Sequence, residues 1–529
     1  MKVGIAADHG GFDLKGKMAA FVEAQGYTVV DYGAYHYDKH DDYPDFVVPL
    51  AKAVANGEVD RGIAICGSGV GASIVANKIP GARAALITET YSAHQGVEHD
   101  DMNIICLGGR VIGSVLVEEI IKSYLKAAYT REDRHQRRLN KVIALETKEE
   151  TMKTNPLVNV YSFRQSIWMD FIRRGILSSG ELKTMIEEYG LKGITSNPSI
   201  FEEAINGSTD YSTAIQELVR QNKNTDEIYE TLAVEDIQNA SDMFRSIYEE
   251  TNAVDGYVSL EVSPYLAKDT NGTITEGKKL WAAVNRPNVM IKVPGTQEGL
   301  PAIQQLISEG INVNVTLLFG LERYRAVANA YITGLEHRLK NKQPLDNIAS
   351  VASFFLSRID VMIDPQLEKI AAAGGPNAAV AKSLLGKVAI ANAKMSYQIY
   401  KELFNSPRFR TLAEKGARPQ RLLWASTGTK NPNYSPVMYI EHLIGPDTVN
   451  TVPLETLKAY NAQGEPASRL EEGLEDAKKV LTDLASLGIV LDDITEKLEV
   501  EGVEKFNKPF AKLMEALENK RKEALSSVK

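Results

Sequence analysis

The sequence predicts an α/β protein of two domains: a doubly wound parallel sheet over residues 1–150 and a (β/α)8 barrel over residues 151–529. Short β-rich runs alternate with helical stretches, which is typical of parallel strands covered by helices. Five such runs precede a polar, charged segment at 144–157, and eight follow it. Six of the eight histidines lie before residue 136, so the two parts also differ in chemistry.

The first domain contains five strand-like runs: KVGIAAD, TVVDYG, RGIAICG, RAALITE and NIICLGG. We expect them to form a Rossmann-like sheet, in which ligands bind beyond the carboxyl ends of the strands. Asp8 and His9, residues 66–71 and residues 108–110 follow three of these strands, so we expect them to lie together. The segment at 144–157 predicts the end of a helix running into a short linker.

The second domain contains eight strand-like runs, at 166–170, 193–198, 257–264, 288–296, 311–319, 351–360, 421–427 and 450–457. Eight strand–helix units predict a TIM barrel, with the active site at the carboxyl ends of its strands. The insertion at 361–420 and the tail after residue 470 predict further helices.

Composition excludes several classes of protein. The net charge of −9 and the lack of a basic stripe argue against nucleic acid as a partner. No apolar run reaches the roughly 18 residues that a membrane helix needs. The amino terminus does not read as a signal peptide, and only two cysteines are present, so we expect a cytoplasmic protein. No His or Cys spacing suggests a metal site, and we expect no metal and no organic cofactor.

The segment CGSGVGASIVANK places Cys66 in a glycine-rich turn before a helix. Thiols at helix N-termini ionise readily, and a thiolate can act as a base. The N–H groups of residues 67–71 and the Ser68 hydroxyl could hold an oxyanion beside it. A base next to an oxyanion hole suits aldose–ketose isomerisation through an enediolate.

Two other interpretations of this turn are open. Cys66 can be a buried small hydrophobe, the role that we assign to Cys106. The spacing Gly67-x-Gly69-x-x-Ala72, followed by Glu89, also fits a dinucleotide-binding fingerprint. The turn follows the third strand rather than the first, and a cysteine side chain stands where the pyrophosphate needs room. Both features disfavour the nucleotide interpretation.

The first domain resembles type B ribose-5-phosphate isomerases over residues 1–148, through GIAADHGGFDLK, DYPD, CGSGVGASIVANK, EHDDMNIICLGGRVIG and DRHQRR. The resemblance implies that Cys66 moves the proton between C1 and C2. It implies that Asp8 and His99 bind ring hydroxyls and assist ring opening. The enediolate would be stabilised by Ser68 and the backbone of Gly67, Gly69, Val70 and Gly71. The substrate-binding residues would be Tyr43 and Asn103 in the sugar pocket and His9, Arg110, Arg134 and Arg138 at the phosphate. The pocket of this family is shared between two subunits, so a homodimer is implied.

This chain departs from the family pattern at two places. Asp100 follows His99 where the family usually has a neutral amide, and Glu132 and Asp133 replace glycines before Arg134. The preferred sugar is therefore open, and a hexose 6-phosphate is an alternative to ribose 5-phosphate. A first domain without catalysis, serving dimerisation or sugar-phosphate sensing, is the other alternative.

In the second domain, NVMIKVPGT places Lys292 inside an apolar strand. A buried lysine either reaches solvent or stays partly neutral, and a neutral amine can form a Schiff base with a ketone. For a single residue, the alternative is a lysine that reaches solvent at the barrel rim or a polar side chain that caps a helix. Six further strands end in polar residues: Asp170, Asn197, Glu261, Asn314 with Thr316, Ser353 and Ser426. So many polar groups at one mouth predict an active site.

From Asn155 onward the chain resembles transaldolases, through SIWMDFIRRG, GITSNPSIFEEAI, SLEVSP, NVMIKVPGT, GINVNVTLLF and SFFLSRID. The resemblance implies that Lys292 forms an imine with C2 of a ketose phosphate and that Asp170 takes the C4 hydroxyl proton. Glu261 and Thr316 would handle a water during imine formation. The hydroxyls of the three-carbon unit would be held by Asn197, Asn314 and Ser353, with Thr195 in support.

The resemblance also implies which residues bind the phosphate of the substrate. Arg358 would bind it, with Ser426 beside it and Lys430 in place of the second arginine of the family. Related aldolases have glutamine and tyrosine where this chain has Glu261 and Phe355, so these two residues favour transfer over simple cleavage. The two resemblances together imply a bifunctional enzyme of the non-oxidative pentose phosphate pathway. Its substrates would be ribose 5-phosphate, ribulose 5-phosphate, sedoheptulose 7-phosphate and glyceraldehyde 3-phosphate.

Overall fold

The computed structural model describes the backbone of residues 1–527 and the side chains of residues 1–143, 146 and 155–525. The chain divides into two compact units, Met1–Thr151 and Met152–Lys529. Each unit has hydrophobic core clusters of its own. No helix among residues 1–527 is long and apolar enough to cross a membrane.

The first unit is a five-stranded parallel sheet in the order β2-β1-β3-β5-β4. The strands are β1 (Lys2–Ala7), β2 (Thr28–Asp31), β3 (Arg61–Cys66), β4 (Ala84–Leu86) and β5 (Ile104–Gly108). The helices are α1 (Phe12–Ala24), α2 (Tyr43–Ala55), α3 (Val70–Ala76), α4 (Thr90–Asp100), α5 (Ser114–Lys126) and α6 (Asp133–Thr154). Separate apolar clusters lie on the two faces of the sheet. The predicted Rossmann-like fold is confirmed.

The sheet order brings three strand ends together. β1, β3 and β5 are adjacent, and Cys66 at the end of β3 lies level with Gly108 of β5. The Gly109 N–H donates to the Cys66 carbonyl at 2.8 Å. A Cβ at Gly10 would lie 2.7 Å from the Gly67 nitrogen, so the close approach of these loops requires a glycine there. The expected convergence of the three loops is observed.

After the first unit, the predicted helix end is confirmed and the predicted short linker is a single residue. Helix α6 continues to Thr154, and α7 begins at Pro156 after Asn155. Residues 144–154 are charged but consist mainly of good helix formers, which suits a helix. Asn155 accepts a hydrogen bond from the Leu157 N–H at 2.8 Å, so it caps the new helix, with proline at the first helical position.

The second unit is a closed barrel of eight parallel strands in sequence order, β6 to β13, with β13 pairing β6. The strands are β6 (Gln165–Asp170), β7 (Gly193–Thr195), β8 (Tyr257–Glu261), β9 (Val289–Pro294), β10 (Val313–Leu318), β11 (Ser350–Phe355), β12 (Arg421–Ala425) and β13 (Thr448–Val452). The predicted TIM barrel is confirmed. The last strand starts two residues before the predicted run and ends before Pro453, which cannot donate to a ladder.

Helices surround this barrel. Those of the first half are α7 (Pro156–Val160), α8 (Arg174–Ser178), α9 (Glu181–Glu188), α10 (Pro198–Asn206), α11 (Ser212–Arg220), α12 (Thr225–Met243), α13 (Arg245–Glu250), α14 (Thr270–Val284) and α15 (Gly299–Glu309). Those of the second half are α16 (Leu321–Lys340), α17 (Ser357–Ala373), α18 (Ala378–Leu384), α19 (Val388–Phe404), α20 (Pro407–Ala413), α21 (Met438–Glu441), α22 (Leu454–Gln463), α23 (Leu474–Ser486) and α24 (Leu491–Ser527). Short 3-10 turns span Tyr161–Phe163 and Pro264–Leu266. The insertion and the tail are helical, as the sequence predicts.

A buried ion pair at the amino-terminal end of the barrel joins its strands. Asp255 is fully buried and lies 3.0 Å from Arg421 at the start of β12. The same carboxylate accepts hydrogen bonds from the Ser166 hydroxyl at 2.7 Å and the Trp168 indole at 3.2 Å. This ion pair lies at the end of the strands opposite to the candidate site, which is at their carboxyl ends.

Candidate functional site

A cavity of about 250 Å³ lies at the carboxyl ends of the barrel strands. Predicted site residues that line it are Asp170, Thr195, Asn197, Lys292, Thr316, Ser353, Phe355, Arg358, Ser426 and Lys430. They come from separate strands and loops, and barrel closure brings them together. Within residues 1–527, no cluster of three His, Cys, Asp or Glu side chains has the arrangement of a metal site.

Lys292 is buried in the barrel wall, with 4% of its surface exposed. Its Nζ lies 3.0 Å from Glu261 Oε2 and donates to the Ser196 carbonyl at 3.0 Å. Glu261 and Lys292 are register partners on β8 and β9, so strand pairing sets their approach. Burial raises the pKa of Glu261, and the charge of Lys292 opposes that rise. An amine beside a carboxyl of raised pKa is suited to proton exchange during imine chemistry.

Asp170 ends β6 and faces the same cavity. The Thr195 hydroxyl donates to its Oδ1 at 2.7 Å, and Thr195 is also hydrogen-bonded to Thr451 at 2.6 Å. Burial raises the pKa of Asp170, while the charge of Lys292 and the hydrogen bond from Thr195 lower it. A carboxylate held in this way can accept a proton from a hydroxyl in the cavity.

A chain of buried amide and hydroxyl groups supports the cavity wall. Ser353 donates to the Asn314 Oδ1 at 2.7 Å, and the Asn314 amide donates to the Ser259 hydroxyl at 3.0 Å. Asn314 does not itself line the cavity, so it orients Ser353. The buried Thr316 hydroxyl has no hydrogen-bond partner among the residues that the structure describes. It can therefore bind a substrate group or a water.

A cationic site lies beside these groups. The Arg358 guanidinium lies between the rings of Phe355 and Phe506, at 5.2 and 5.8 Å from their centroids. Its Nη1 is buried without a hydrogen-bond partner in the described part of the chain. Burial lowers the pKa of Arg358, and nearby carboxylates oppose this effect. Ser426 and Lys430 line the same cavity, so the arrangement can bind a phosphate.

In the first unit, Cys66 is buried at the end of β3. The Gly69 N–H donates to its Sγ at 3.1 Å, and Gly69 has a φ of +82° that favours glycine. Ser68 is exposed next to the sulfur. A Cβ at Gly71 would lie 2.7 Å from the Tyr43 ring, so the ring packs directly on this turn. The thiol, the turn and the predicted sugar-pocket tyrosine are therefore neighbours.

Asp8 and His9 directly follow β1. Together with Cys66, Ser68 and Tyr43 they form what we call the Cys66 group. Asp8 Oδ1 accepts the Gly10 N–H at 2.9 Å, and burial raises the pKa of Asp8. The His9 ring nitrogen lies 2.7 Å from Asp41, whose hydrogen bond raises the pKa of His9. A histidine whose charged form is favoured suits the predicted phosphate-binding role. The backbone of Gly67 accepts the Arg110 N–H at 3.1 Å, which places Arg110 at the same edge.

The predicted residues His99, Arg134 and Arg138 form a second group, at α4 and the start of α6, which we call the His99 group. The His99 and His135 rings are 4.1 Å apart, and the Gln95 amide is 2.7 Å from His99. Arg134 and Arg138 are exposed on α6, and Arg134 is paired with Glu132 at 2.9 Å. Among the described residues, no hydrogen bond, ion pair or ring contact joins this group to the Cys66 group.

Known proteins match the two units of this chain separately. A family model described as transaldolase/fructose-6-phosphate aldolase matches residues 167–517. The transaldolase of Trichodesmium erythraeum is 50% identical over 375 residues, covering 70% of this chain and 98% of that protein. Transaldolase 2 of a Nostoc species is 49% identical over 374 residues, again covering 70% of this chain and 98% of that protein. The chain belongs to the transaldolase/fructose-6-phosphate aldolase family.

The first unit of this transaldolase-family chain has its own match. A family model described as ribose/galactose isomerase matches residues 3–142. The solved ribose-5-phosphate isomerase B of Clostridium thermocellum is 48% identical, covering 28% of this chain and 99% of that chain, with a TM-score of 0.27. Both resemblances drawn from the sequence are thus confirmed, and the chain combines two families of sugar-phosphate enzymes of the pentose phosphate pathway.

Several residues around the transaldolase-family site were not foreseen. Phe506 of α24 lines the cavity, and Ser196 supplies the carbonyl that Lys292 contacts. Thr451 lies in a predicted strand, but its hydroxyl was not singled out. In the first unit, Asp41 and His135 contact predicted site residues. Ser196 and His135 lie inside the quoted motifs GITSNPSIFEEAI and DRHQRR, although no role was predicted for them. Phe506, Thr451 and Asp41 belong to none of the quoted motifs, and long-range packing brings them to the sites.

Other expected residues have clear local roles. The Asn103 amide donates to the Gly81 carbonyl at 2.8 Å, and its oxygen accepts the Arg83 N–H at 2.7 Å. Asn103 therefore braces the loop before β4 with both ends of its amide, and its contact with substrate stays a prediction. Glu89 caps α4, accepting the Ser92 N–H at 2.8 Å, so its carboxylate is used for the helix. Cys106 is fully buried, as expected for core packing.

Proposed function

We propose that this protein is a bifunctional enzyme that interconverts ribose 5-phosphate and ribulose 5-phosphate and transfers a dihydroxyacetone unit between sugar phosphates. The observation that carries the proposal is the cavity that Lys292 and Asp170 both line, with the buried Glu261 carboxylate 3.0 Å from Lys292 Nζ. An amine, a proton carrier and a carboxylate base around one cavity are the groups that imine-based carbon–carbon cleavage requires.

In the transfer reaction, Lys292 Nζ attacks C2 of sedoheptulose 7-phosphate, and the C2 oxygen leaves as water when the imine forms. Glu261 moves the protons of this step, with a water held by Thr316. Asp170 then takes the C4 hydroxyl proton, C4 becomes an aldehyde carbon, and the C3–C4 electron pair moves into the enamine. Glyceraldehyde 3-phosphate replaces the aldose product, its carbonyl carbon accepts that electron pair, and Asp170 returns the proton to its oxygen. Water then hydrolyses the new imine, which frees the ketose phosphate and Lys292.

Phosphate and hydroxyl contacts orient the substrate for this chemistry. Arg358, Ser426 and Lys430 face the cavity and suit the phosphate. Ser353 and Asn197 suit the hydroxyls of the three-carbon unit, and Asn314 holds Ser353 in place. Glu261 and the apolar Phe355 favour transfer over release of the three-carbon unit.

Borohydride trapping tests the transfer proposal. Reduction in the presence of fructose 6-phosphate should add a three-carbon unit to the peptide that contains Lys292, as measured by mass spectrometry. The Lys292→Met variant should lose both the adduct and the activity, whereas Lys279→Met, an exposed control on α14, should keep both. An active Lys292→Met variant would overturn the Schiff-base assignment.

In the isomerisation, the Cys66 thiolate takes the C2 proton of the open-chain aldose and returns it to C1. The C1 carbonyl oxygen carries the negative charge of the enediolate and becomes a hydroxyl when the proton of the C2 hydroxyl passes to it, which leaves C2 as the ketone. The Gly69 N–H contact at 3.1 Å supports this thiolate, and the turn that follows offers donors to the oxyanion.

A homodimer completes this site in the proposal. The Cys66 group and the His99 group do not meet within one chain, although both belong to the family pattern. Around the Cys66 turn the first unit exposes apolar side chains: Val70, Ile74, Val111, Val115 and Leu116. A second copy covering this surface would bury it and could supply the His99 group of the partner.

A second candidate function is supported by one contact. Arg134, a predicted phosphate ligand, is paired with Glu132 at 2.9 Å, at a position where the related isomerases have glycine. A paired arginine binds phosphate less readily, which favours an isomerase domain of altered sugar preference or one that only binds a sugar phosphate.

One experiment separates these possibilities. Ribose 5-phosphate is followed by NMR in D2O with the Lys292→Met protein and with the same protein carrying Cys66→Ala. Ketose formed only when Cys66 is present supports the isomerase. No ketose in either protein would overturn the ribose isomerase assignment, and the assay would be repeated with hexose 6-phosphates. Ketose formed equally by both proteins would overturn the role of Cys66.

A further inference from the structure

Phe506 of the C-terminal helix α24 contacts both cationic groups of the barrel site. Its ring centroid lies 5.6 Å from Lys292 Nζ and 5.8 Å from the Arg358 guanidinium. The side chain is buried and lines the cavity. One aromatic ring therefore faces the reactive amine and the candidate phosphate-binding group together.

Arg358 has few other fixed contacts. Phe355 contacts it from β11 at 5.2 Å, and Nη1 is buried without a hydrogen-bond partner among the described residues. Its long side chain would adopt several rotamers if nothing restrained it. Two ring faces hold the guanidinium through attraction between the cation and the ring quadrupole. Because rings accept no conventional hydrogen bond, its N–H donors stay available for phosphate oxygens.

The position of Phe506 is set by the packing of α24. About two turns earlier, Glu499 pairs with Arg323 of α16 at 2.9 Å, which ties α24 to the barrel. A Cβ at Gly502 would lie 3.1 Å from a Leu317 methyl and 3.8 Å from Arg358 Nη1. The helix thus approaches the barrel closely at the level of Arg358, and this approach brings the Phe506 ring over the cavity.

We propose that Phe506 is a positioning residue that holds Arg358 ready for phosphate and so sets the preference of the barrel site for phosphorylated substrates. This inference rests on the proposed transaldolase function. The ring keeps the guanidinium in one orientation and excludes water from the space between Arg358 and Lys292. A substrate without phosphate gains nothing from this arrangement, so only phosphorylated substrates depend on it.

The test compares kcat/KM for glyceraldehyde 3-phosphate and for glyceraldehyde as acceptors, with one donor, in the full-length protein. Phe506→Leu removes the ring and keeps an apolar side chain. Because the ring also faces Lys292, both acceptors can lose activity, but we expect kcat/KM for the phosphorylated acceptor to fall about tenfold more than that for glyceraldehyde, chiefly through KM. Phe506→Tyr keeps the face of the ring, so this variant should retain most of the preference for the phosphorylated acceptor.

Phe510 provides a matched control. It lies one turn further along α24, is buried, and packs edge-on against Tyr229 and Tyr265 outside the cavity. Phe510→Leu should leave the ratio of the two kcat/KM values unchanged even if it lowers stability. Circular dichroism and the thermal midpoint of each variant report folding.

The outcomes distinguish this inference from the function on which it rests. If Phe506→Leu lowers kcat/KM equally for both acceptors, or for neither, the positioning role is wrong although the enzyme is a transaldolase. If Phe510→Leu changes the ratio as much as Phe506→Leu, the effect belongs to helix packing and the inference fails. A wild-type protein that transfers to neither acceptor would refute the proposed function itself.

Discussion

The buried carboxyl of Asp360 predicts a pH-dependent stability of the barrel unit. Asp360 lies on α17, is 2% exposed, and accepts hydrogen bonds from the Ala389 N–H at 2.9 Å and the Tyr439 hydroxyl at 2.6 Å. Burial raises its pKa from 3.8 to about 7; the two hydrogen bonds oppose the rise, and the nearby carboxyl of Asp364 adds to it. The perturbation that we consider is Asp360→Asn, a neutral side chain of the same shape.

The direction in which stability changes with pH follows from the linkage between protonation and folding. Because the pKa of Asp360 is higher in the folded state, its contribution to stability is complete below about pH 4 and is lost as the pH rises to about 7. A rise of about three pKa units corresponds to about 4 kcal/mol. Of this, about 3 kcal/mol is lost between about pH 5 and about pH 8. Asp360→Asn removes this titration, so its free energy of unfolding should fall less over that interval.

Tryptophan fluorescence is a suitable assay. All three tryptophans, Trp168, Trp281 and Trp424, lie in the barrel unit and report its unfolding alone. Urea unfolding of both proteins at about pH 5 and about pH 8 gives the difference in stability at each pH. We expect this difference to move in favour of Asp360→Asn by about 3 kcal/mol at the higher pH.

Replacing the exposed carboxylate of Asp346 by asparagine is the control for the change in net charge, and it should give the same difference at both pH values. An unchanged difference between wild type and Asp360→Asn at the two pH values would refute the reasoning, because it would mean that Asp360 titrates alike in the folded and unfolded chains.

Three further predictions concern other parts of the molecule. Asp255→Asn leaves the charge of the partly buried Arg421 unpaired and should destabilise the barrel by about 3 kcal/mol, measured by urea unfolding; a loss below about 1 kcal/mol would contradict this. Thr195→Val removes a hydrogen bond that lowers the pKa of Asp170, so the acid limb of the transaldolase pH profile should move to higher pH. An unmoved limb would argue against Asp170 as the base. Gly71→Ala forces a Cβ against the Tyr43 ring and should raise the isomerase KM for ribose 5-phosphate about tenfold; an unchanged KM would mean that the ring moves freely.

The sequence by itself determined both folds. Each strand is a short β-rich run between helical stretches, so the five-stranded sheet and the eight-stranded barrel follow from local patterns. Lys292 was recognisable because a lysine inside an apolar strand is rare, and Cys66 because it borders a glycine turn. The helix end at the boundary was also predicted, but the charged residues of 144–154 did not show that the helix continues to Thr154 and leaves a linker of one residue.

Only the tertiary structure decided how these residues are assembled. The pairing of β8 with β9 sets Lys292 beside Glu261, and the closure of the barrel sets Asp170 opposite them. Phe506 carries no local signal of function, because its role depends on a helix that packs back onto the barrel from near the end of the chain. Likewise, the separation of the Cys66 and His99 groups cannot be read from their order in the chain. Local sequence dictates backbone geometry through sterics and burial, whereas contacts between distant segments depend on how whole elements pack.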